Sequence, residues 1–283
     1  GAGGTVKRSS LYSSPGPVTI KPIVMNSSPS LTLNSLVLMT GLTGSLVAAG
    51  LPPAAGPVAF QDGDTLVFLG DSITHSWTRP DSYCGYVETF YYTRYPRLRL
   101  RFMNAGVSGS RVQHALARFD QAVARHRPTY VILMLGMNDA EYSDFDRDRF
   151  QVYADGMRRL LDRIAELPAT AIPMVPTLLD YRNVELTPGN SPARKRELLG
   201  NVATLGYYGT WLREEALARG LPLVDQAAGF NRFLRSIRQT DPHYMLAPDA
   251  IHPNPAGLWV MAHTLIETLE TNRFISTVDI FPR

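Results

Sequence analysis

Four short segments of this 283-residue sequence carry polar groups whose types and spacing could perform acyl transfer. Gly-Asp-Ser at 70–72 follows an apolar run, Asn-Ala-Gly-Val-Ser-Gly occupies 104–109, and Gly-Met-Asn-Asp occupies 136–139. The fourth segment, Pro-Asp-Ala-Ile-His-Pro, lies far downstream at 248–253. Together they contain a hydroxyl, an imidazole, a carboxylate and several amides. These are the nucleophile, base, orienting acid and oxyanion donors that acyl transfer requires.

The downstream segment places Asp249 three residues before His252, in a loop that leads into a capped helix. At this spacing the carboxylate can reach the imidazole, fix its tautomer and leave the other ring nitrogen free to act as a base. Ser72 is then the candidate nucleophile, and the side-chain amide of Asn138 is a candidate donor. Each segment also has an ordinary interpretation: a tight turn for the serine, a helix cap for the asparagine and solvent exposure for the histidine.

The elements that must position these segments alternate between strand and helix. Strands are predicted at the apolar or alternating runs 65–69, 98–102, 130–135, 171–175 and 221–224. Helical periodicity predicts helices over 83–91, 112–125, 150–164, 197–219 and 255–269. Strands separated by helices predict an α/β fold with a parallel sheet covered on both faces.

Two strands carry further signals, and the order of the strands decides whether a site forms. The alternating run at 98–102 suits a sheet edge, and Pro173 weakens the strand at 171–175. Ligands of such sheets bind beyond the carboxyl ends of the strands, where the strand order reverses. If the first strand lies between the second and the third, the three turns that follow them form one crevice.

Charge and cysteine usage exclude several classes of protein. The formal net charge of +3 equals the three basic residues of 1–61, where no acidic residue occurs, so residues 62–283 are formally neutral. A basic groove for nucleic acid is therefore not expected. The single cysteine, Cys84, allows neither an intrachain disulfide nor a four-cysteine metal site. Nucleotide-binding and zinc-protease motifs, and the Gly-x-Ser-x-Gly nucleophile elbow, are also absent from the sequence.

Residues 1–61 differ in composition from the rest and are predicted to be an N-terminal leader. No charged side chain occurs between 22 and 61, and 31–51 is apolar, small or hydroxylated. A signal peptide, which would make the protein secreted or periplasmic, and a flexible extension, which would leave it cytoplasmic, both fit this composition. A membrane anchor is the weakest alternative because polar residues dilute the apolar stretch. We expect no stable membrane association.

The four segments together resemble the motif blocks of the SGNH/GDSL hydrolase superfamily, and the similarity extends over 65–270. Two departures from the family pattern occur: Ile73 stands where leucine is usual, and Ser110 and Arg111 replace a frequently acidic continuation. The blocks lie, in chain order, at 68–74, 104–109, 136–139 and 249–253. Residues 62–283 are therefore identified as an SGNH hydrolase domain.

The resemblance implies a flavodoxin-like three-layer α/β/α sandwich with a five-stranded parallel sheet in the order 2-1-3-4-5. It also implies that Ser72 is the nucleophile, His252 the base and Asp249 the residue that orients the histidine. The oxyanion hole would consist of the Ser72 amide, the Gly109 amide and the side-chain amide of Asn138. The mechanism needs no metal and no cofactor.

The expected function is the hydrolysis of carboxylic esters with short acyl groups, on a small-molecule or glycan substrate such as an acetylated carbohydrate. A lysophospholipase, a thioesterase and an acyltransferase of the same superfamily are alternatives, and a non-catalytic binding domain is a weaker one. The sequence carries no signal for a particular oligomeric state. The residues predicted to contact substrate are Asp71, Trp77, Met137, Tyr142 and Tyr181.

Overall fold

The computed structural model describes residues 58–76, 81–186 and 189–270. All but the last four residues of the predicted leader, and Trp77, lie outside the described residues. Residues near the start of the described chain are already part of the packed domain, since the amide of Val58 donates to the carbonyl oxygen of Leu269 at 3.2 Å. The ring of Phe60 also packs edge-on against Tyr91 and Tyr130, with both ring centroids 5.0 Å away.

Five parallel strands form the sheet, in the order β2-β1-β3-β4-β5. The strands are β1 (Thr65–Gly70), β2 (Arg101–Gly106), β3 (Tyr130–Met134), β4 (Thr170–Val175) and β5 (Val224–Asp225). The predicted fold class and strand order are therefore confirmed. In the register of the sheet, Gly70 lies beside both Gly106 and Met134. The turns that follow the first three strands consequently begin side by side.

Nine α-helices connect or flank the strands within the described residues, together with a short 3₁₀ turn at Ala124–His126. The helices are α1 (Ser72–His75), α2 (Tyr83–Arg94), α3 (Val112–Ala117), α4 (Phe119–Ala122), α5 (Arg147–Ala165), α6 (Tyr181–Leu186), α7 (Pro192–Ala218), α8 (Gln226–Ile237) and α9 (Pro255–Leu269). The start of α9 is as predicted, because the side chain of Asn254 accepts from the amide of Gly257 at 2.9 Å.

The two faces of the sheet bury separate apolar clusters, as a three-layer arrangement requires. Along β1, Val67 and Leu69 pack into one cluster, whereas Leu66 and Phe68 pack into the other. This alternation follows from the two-residue period of a strand. Because helices cover both faces, every residue of β1 is buried.

Pro173 is tolerated because β4 has two partners over only part of its length. Its partner in β3 is Leu133, whereas β5 pairs with β4 only at Met174 and Val175. At Pro173 the strand therefore has a neighbour on one side only, where a missing amide donor is acceptable.

Among the described helices, none combines the length and the hydropathy needed to cross a bilayer.

The helix predicted over 112–125 and the strand predicted over 98–102 differ from the structure. The helix predicted over 112–125 is broken into α3, α4 and the 3₁₀ turn. Ala115, Phe119 and Val123 are all buried, so short helical pieces satisfy the same four-residue spacing as one helix would. The alternating run at 98–102 mostly precedes β2, although β2 does form a sheet edge as predicted.

Three helices, α1, α6 and α8, were not predicted. Helix α8 was missed although Phe230 and Leu234 bury one side of it, because polar residues and Gly229 interrupt its apolar pattern. Helix α6 lies between the strand predicted at 171–175 and the helix predicted at 197–219, where the sequence pattern predicts no element. Its buried positions are set by contacts with distant parts of the chain rather than by its own periodicity.

Candidate active site

Ser72 is the first residue of α1 and lies two positions after Gly70, the last residue of β1. The Asp71 carboxylate begins this helix by accepting from the amide of Ile73 at 3.0 Å. Helix α1 lies so close to the end of β2 that a Cβ atom on Gly106 would fall 2.4 Å from the amide nitrogen of His75. A glycine at the end of β2 is therefore required for Ser72 to occupy its position.

A chain of two hydrogen bonds joins Ser72 to residues 180 positions downstream. The Ser72 Oγ lies 3.1 Å from the His252 Nε2, and the His252 Nδ1 lies 2.7 Å from the Asp249 Oδ2. The other carboxylate oxygen, Oδ1, accepts from the amides of Ile251 at 2.9 Å and His252 at 2.7 Å. The structure therefore brings the predicted nucleophile, base and orienting acid together.

The loop that carries Asp249 and His252 is held by contacts with its flanks. Ala250 adopts a left-handed conformation, with φ of 68°, and is buried. For a residue with a Cβ atom this conformation costs free energy, so the surroundings must impose it. The amide of Ala250 and the side chain of Asn183 both donate to the carbonyl oxygen of Ala247, at 2.9 and 2.8 Å.

The hydrogen bonds define the charge state of Asp249. Partial burial raises its pKa, but the hydrogen bonds from the His252 ring and from the two amides outweigh this effect and hold the pKa below its usual value. The carboxylate is consequently ionised at neutral pH and accepts a hydrogen bond from the N–H group at the His252 Nδ1. The Nε2 is then free to accept a proton from Ser72.

The turn after β2 carries Gly109, which lies at the surface. The amide of Ser110 donates to the carbonyl oxygen of Val107 at 3.0 Å, which closes a β-turn with Gly109 as its third residue. Gly109 has a φ of 72°, a conformation that this turn position requires and that glycine adopts without strain. A Cβ atom there would meet no atom within 4 Å. The glycine is therefore needed for backbone conformation rather than for space.

The side chain of Asn138 links the turns after β1, β2 and β3. Its Nδ2 lies 3.2 Å from the carbonyl oxygen of Ser110 and 3.4 Å from the Asp71 Oδ2. Its Oδ1 accepts from the Tyr142 hydroxyl at 3.1 Å. These contacts orient the amide so that its NH₂ group faces the turns that carry Ser72 and Gly109.

Asp71 is the most deeply buried charged group of the site. Burial raises its pKa to about 6, while the amide of Ile73 and the nearby charge of His252 oppose that rise. Only 1% of the residue is exposed. Asp71 stays a predicted substrate contact, and in the structure its buried carboxylate holds the start of α1.

The other predicted substrate contacts have different outcomes. Met137, another predicted substrate contact, is 2% exposed and packs in the core. Tyr142 lies at the site through its bond to Asn138. Tyr181 is 52% exposed and lines a cleft of about 270 Å³ at the ends of β4 and β5, whose lining includes neither Ser72 nor His252.

Two features of the site were missed by sequence reasoning. The carbonyl oxygen of Ser110 orients Asn138, but a backbone acceptor leaves no side-chain signal in a sequence. The left-handed backbone of Ala250 was missed because alanine is not typical of that conformation. Within the described part of the chain, no group of three or more His, Cys, Asp or Glu side chains is placed to hold a metal ion.

A parallel sheet that presents a serine hydroxyl to a carboxylate-bound imidazole has the arrangement that serine hydrolases use. The model of the GDSL-like Lipase/Acylhydrolase family matches residues 68–260, which is more than half of the chain. The chain belongs to this family. With the relatives described next, this makes it a carboxylic ester hydrolase.

An acetylxylan esterase from Geobacillus stearothermophilus is 28% identical over 225 residues, which cover 73% of this chain and 94% of that protein. The crystal structure of Axe2, an acetylxylan esterase from the same organism, superposes with a TM-score of 0.59 at 26% identity, over 74% of this chain and 95% of Axe2. A second Axe2 structure is of a catalytic mutant in which alanine replaces a serine. It superposes with a TM-score of 0.59 at 25% identity, over 74% of this chain and 95% of the mutant's chain. LAE5, an alpha/beta hydrolase enzyme from the metagenome of Lake Arreo, Spain, has a TM-score of 0.60 at 28% identity, over 75% of this chain and 99% of LAE5.

Proposed function

We propose that this protein is a serine esterase that removes short acyl groups, acetyl above all, from carbohydrates. The observation that carries the proposal is the continuous chain of hydrogen bonds from the Ser72 Oγ through His252 to Asp249, with bonds of 3.1 and 2.7 Å. An exposed serine hydroxyl gains nucleophilic strength when a base lies within hydrogen-bonding distance and a carboxylate fixes the tautomer of that base.

In the first half of the reaction, the Ser72 Oγ attacks the ester carbonyl carbon and its proton passes to the His252 Nε2. The carbonyl oxygen becomes an oxyanion, which accepts hydrogen bonds from the Ser72 amide, the Gly109 amide and the Asn138 Nδ2. Protonated His252 then donates its proton to the leaving alcohol oxygen as the carbon–oxygen bond of the ester breaks. The acyl group remains bound to Ser72.

In the second half, water takes the place of the alcohol. His252 accepts a proton from the water, whose oxygen attacks the acyl carbon, and the same three donors hold the second oxyanion. Collapse of this intermediate breaks the bond between the acyl carbon and the Ser72 Oγ. The proton returns from His252 to Ser72, and a carboxylic acid leaves.

The open surroundings of the site and the relatives support a carbohydrate ester as substrate. The side chains of Asp249 and His252 are about half exposed, at 54% and 52%, and Gly109 lies at the surface. A carbonyl on a bulky sugar chain can approach such a site without entering a deep channel. Axe2 is an acetylxylan esterase, and one of its catalytic mutants replaces a serine.

A panel of substrates tests the proposal. The purified protein is assayed on p-nitrophenyl esters from acetate to dodecanoate and on acetylated xylo-oligosaccharides, alongside Ser72→Ala. We expect the highest kcat/KM on acetyl esters, release of acetate from the sugars, and loss of both activities in Ser72→Ala. The control Ser236→Ala, which changes an exposed serine on α8, should retain full activity.

Three results would contradict parts of this proposal. Activity that persists in Ser72→Ala would exclude Ser72 as the nucleophile. A preference for long acyl chains would indicate a lysophospholipase or thioesterase with the same mechanism. Transfer of acetyl to an added sugar alcohol in preference to water would indicate an acyltransferase.

A further inference from the structure

Arg118 connects the ends of two strands to the turn that carries Gly109. It lies at the break between α3 and α4, and its guanidinium group points back to the carboxyl edge of the sheet. Its Nη1 donates to the carbonyl oxygen of Ala105 at 2.7 Å. Its Nη2 lies 3.3 Å from the carbonyl oxygen of Gly70 and 3.4 Å from the Ser110 Oγ.

Two of these acceptors lie close in sequence to groups that the proposed mechanism uses. Gly70 is the last residue of β1, two positions before Ser72. Ser110 follows Gly109 directly, and its carbonyl oxygen accepts from Asn138 at 3.2 Å. One planar guanidinium group therefore ties together the backbone segments that carry Ser72 and Gly109, and it is linked to Asn138 through Ser110.

The charge of Arg118 has no carboxylate partner among the described ion pairs. Asp120, the acidic residue nearest to it in sequence, pairs instead with Arg163 at 2.6 Å. Partial burial withdraws the Arg118 cation from water and lowers its pKa from the ordinary value. A poorly solvated cation bound only to neutral oxygens is costly for stability. A cost of this kind is expected where a charged group serves function.

We propose that Arg118 is a positioning residue that holds the Ser72 and Gly109 amides and the Asn138 amide in register for the oxyanion. The inference rests on the proposed serine-esterase function. Arginine suits this role because its fork presents several donors in fixed directions. Lysine carries the same charge on a single nitrogen and cannot bridge the two carbonyl oxygens and the hydroxyl in the same geometry.

The proposal predicts a loss in kcat with little change in KM. Substrate binding does not use the oxyanion donors fully, whereas the transition state does, so misplaced donors raise the barrier alone. We expect Arg118→Ala and Arg118→Lys to lower kcat by about 10- to 100-fold, less than the ~10²–10³ typical of removing a donor outright. The control Arg125→Ala changes an exposed arginine of the adjacent 3₁₀ turn and should retain wild-type kcat.

The experiment measures kcat and KM on p-nitrophenyl acetate, with the concentration of active sites counted by the end point of labelling with a fluorophosphonate. This count removes any contribution from molecules that fail to fold. A phenylboronic acid forms a tetrahedral adduct with a serine nucleophile. Its inhibition constant is therefore an independent measure of how well the oxyanion donors are placed. Added guanidinium ion tests whether the missing group can be replaced in Arg118→Ala.

The proposal is supported if kcat per active site falls, the inhibition constant of the boronic acid rises in parallel, and guanidinium restores part of kcat in Arg118→Ala but not in Arg118→Lys. Wild-type kcat per active site in both variants, or a change confined to KM, would overturn it. An effect on kcat with unchanged boronic acid inhibition would overturn it as well. A different result, activity that persists in Ser72→Ala, would contradict the proposed serine-esterase function itself.

Discussion

The serine side of the site is set among buried polar groups, whereas the histidine side is held at the surface by a short loop. Beneath Ser72, Asp71 is 1% exposed and the neighbouring Asp139 is 6% exposed. Across the site, the side chains of Asp249 and His252 are about half exposed. The two sides thus meet in one hydrogen bond, although their environments have little in common.

This difference separates the residues that should affect catalysis alone from those that should affect catalysis and folding together. An exposed hydrogen-bonded pair contributes little to the free energy of unfolding, because water replaces its bonds in the unfolded chain. A buried polar group that loses its partner keeps its full desolvation cost. We therefore expect activity and stability to be uncoupled on the histidine side and coupled on the serine side.

The largest effect is expected for Asp249→Ala. Without the carboxylate, His252 loses its fixed tautomer and the stabilisation of its protonated form, so kcat on p-nitrophenyl acetate should fall by roughly 10⁴-fold. The free energy of unfolding, measured by urea denaturation, should change by about 1 kcal/mol or less. The control Asp241→Ala removes a carboxylate with a similar contact, to the amide of His243 at 3.2 Å, and should keep kcat. A large loss of stability in Asp249→Ala would contradict the uncoupling.

Asn138→Ala tests the other side. Loss of one oxyanion donor typically lowers kcat by about 10²–10³-fold, with KM little changed. The substitution also leaves the Tyr142 hydroxyl and the carbonyl oxygen of Ser110 without this partner. The free energy of unfolding should therefore fall by about 1–3 kcal/mol. Full stability with reduced kcat would show that activity and stability are no more coupled on the serine side than on the histidine side.

Asp139→Asn tests how much the buried carboxylate of Asp139 lowers the stability of the protein, and how this cost depends on pH. The Asp139 Oδ1 accepts from the amide of Val112 at 2.9 Å, and an asparagine oxygen can accept the same bond. Burial raises the pKa of Asp139 from 3.8 to about 6, against the Val112 hydrogen bond and the charge of Arg111. Between these two values the folded state binds more protons than the unfolded state, so this group lowers stability as pH rises.

The free energy of unfolding of Asp139→Asn relative to wild type should consequently rise between about pH 4 and pH 6 and stay level above that. The total gain should be of the order of 2–3 kcal/mol, at about 1.4 kcal/mol for each pKa unit. Urea denaturation at a series of pH values measures it. Asp148→Asn, which changes an exposed aspartate on α5, should show no such trend. If the difference in free energy of unfolding between Asp139→Asn and wild type did not change with pH, Asp139 would have the same pKa in the folded and the unfolded state.

The smallest effect is expected for Tyr142→Phe. This change removes the 3.1 Å hydrogen bond to the Asn138 Oδ1 and leaves the ring in place. A single neutral hydrogen bond contributes about 0.5–1.5 kcal/mol, so kcat should fall by about 2- to 10-fold. Tyr207→Phe removes the hydroxyl of an exposed tyrosine and should have no effect. Equal kcat for both variants would show that Asn138 is oriented by Ser110 and Asp71 alone.

The parts of the fold that could be predicted are those that depend on local patterns. The apolar runs of β1 and β3 and the cap at Asn254 involve residues within a few positions of one another. The break at Arg118 could not be predicted in this way. Its side chain bonds to carbonyl oxygens of β1 and β2, which lie up to 48 positions away in the sequence.

The candidate site, like the fold, has some features that the sequence predicts and others that depend on contacts between distant residues. Ser72, Asp249 and His252 were proposed from their types, spacing and family resemblance, and the structure places them in contact. Asp71 and Met137, two predicted substrate contacts, are buried beside Ser72 and Asn138 in the sequence. Adjacent side chains point in different directions, and these two point inward.

For this protein, the amino-acid sequence alone determined the class of reaction, because a hydroxyl, an imidazole, a carboxylate and an amide retain their chemistry in any fold. Tertiary structure alone decided which of those groups reach solvent, which lie beneath the site and which distant arginine ties the strand ends together. Burial and orientation arise from packing between remote segments, and such packing exists only once the sheet has formed.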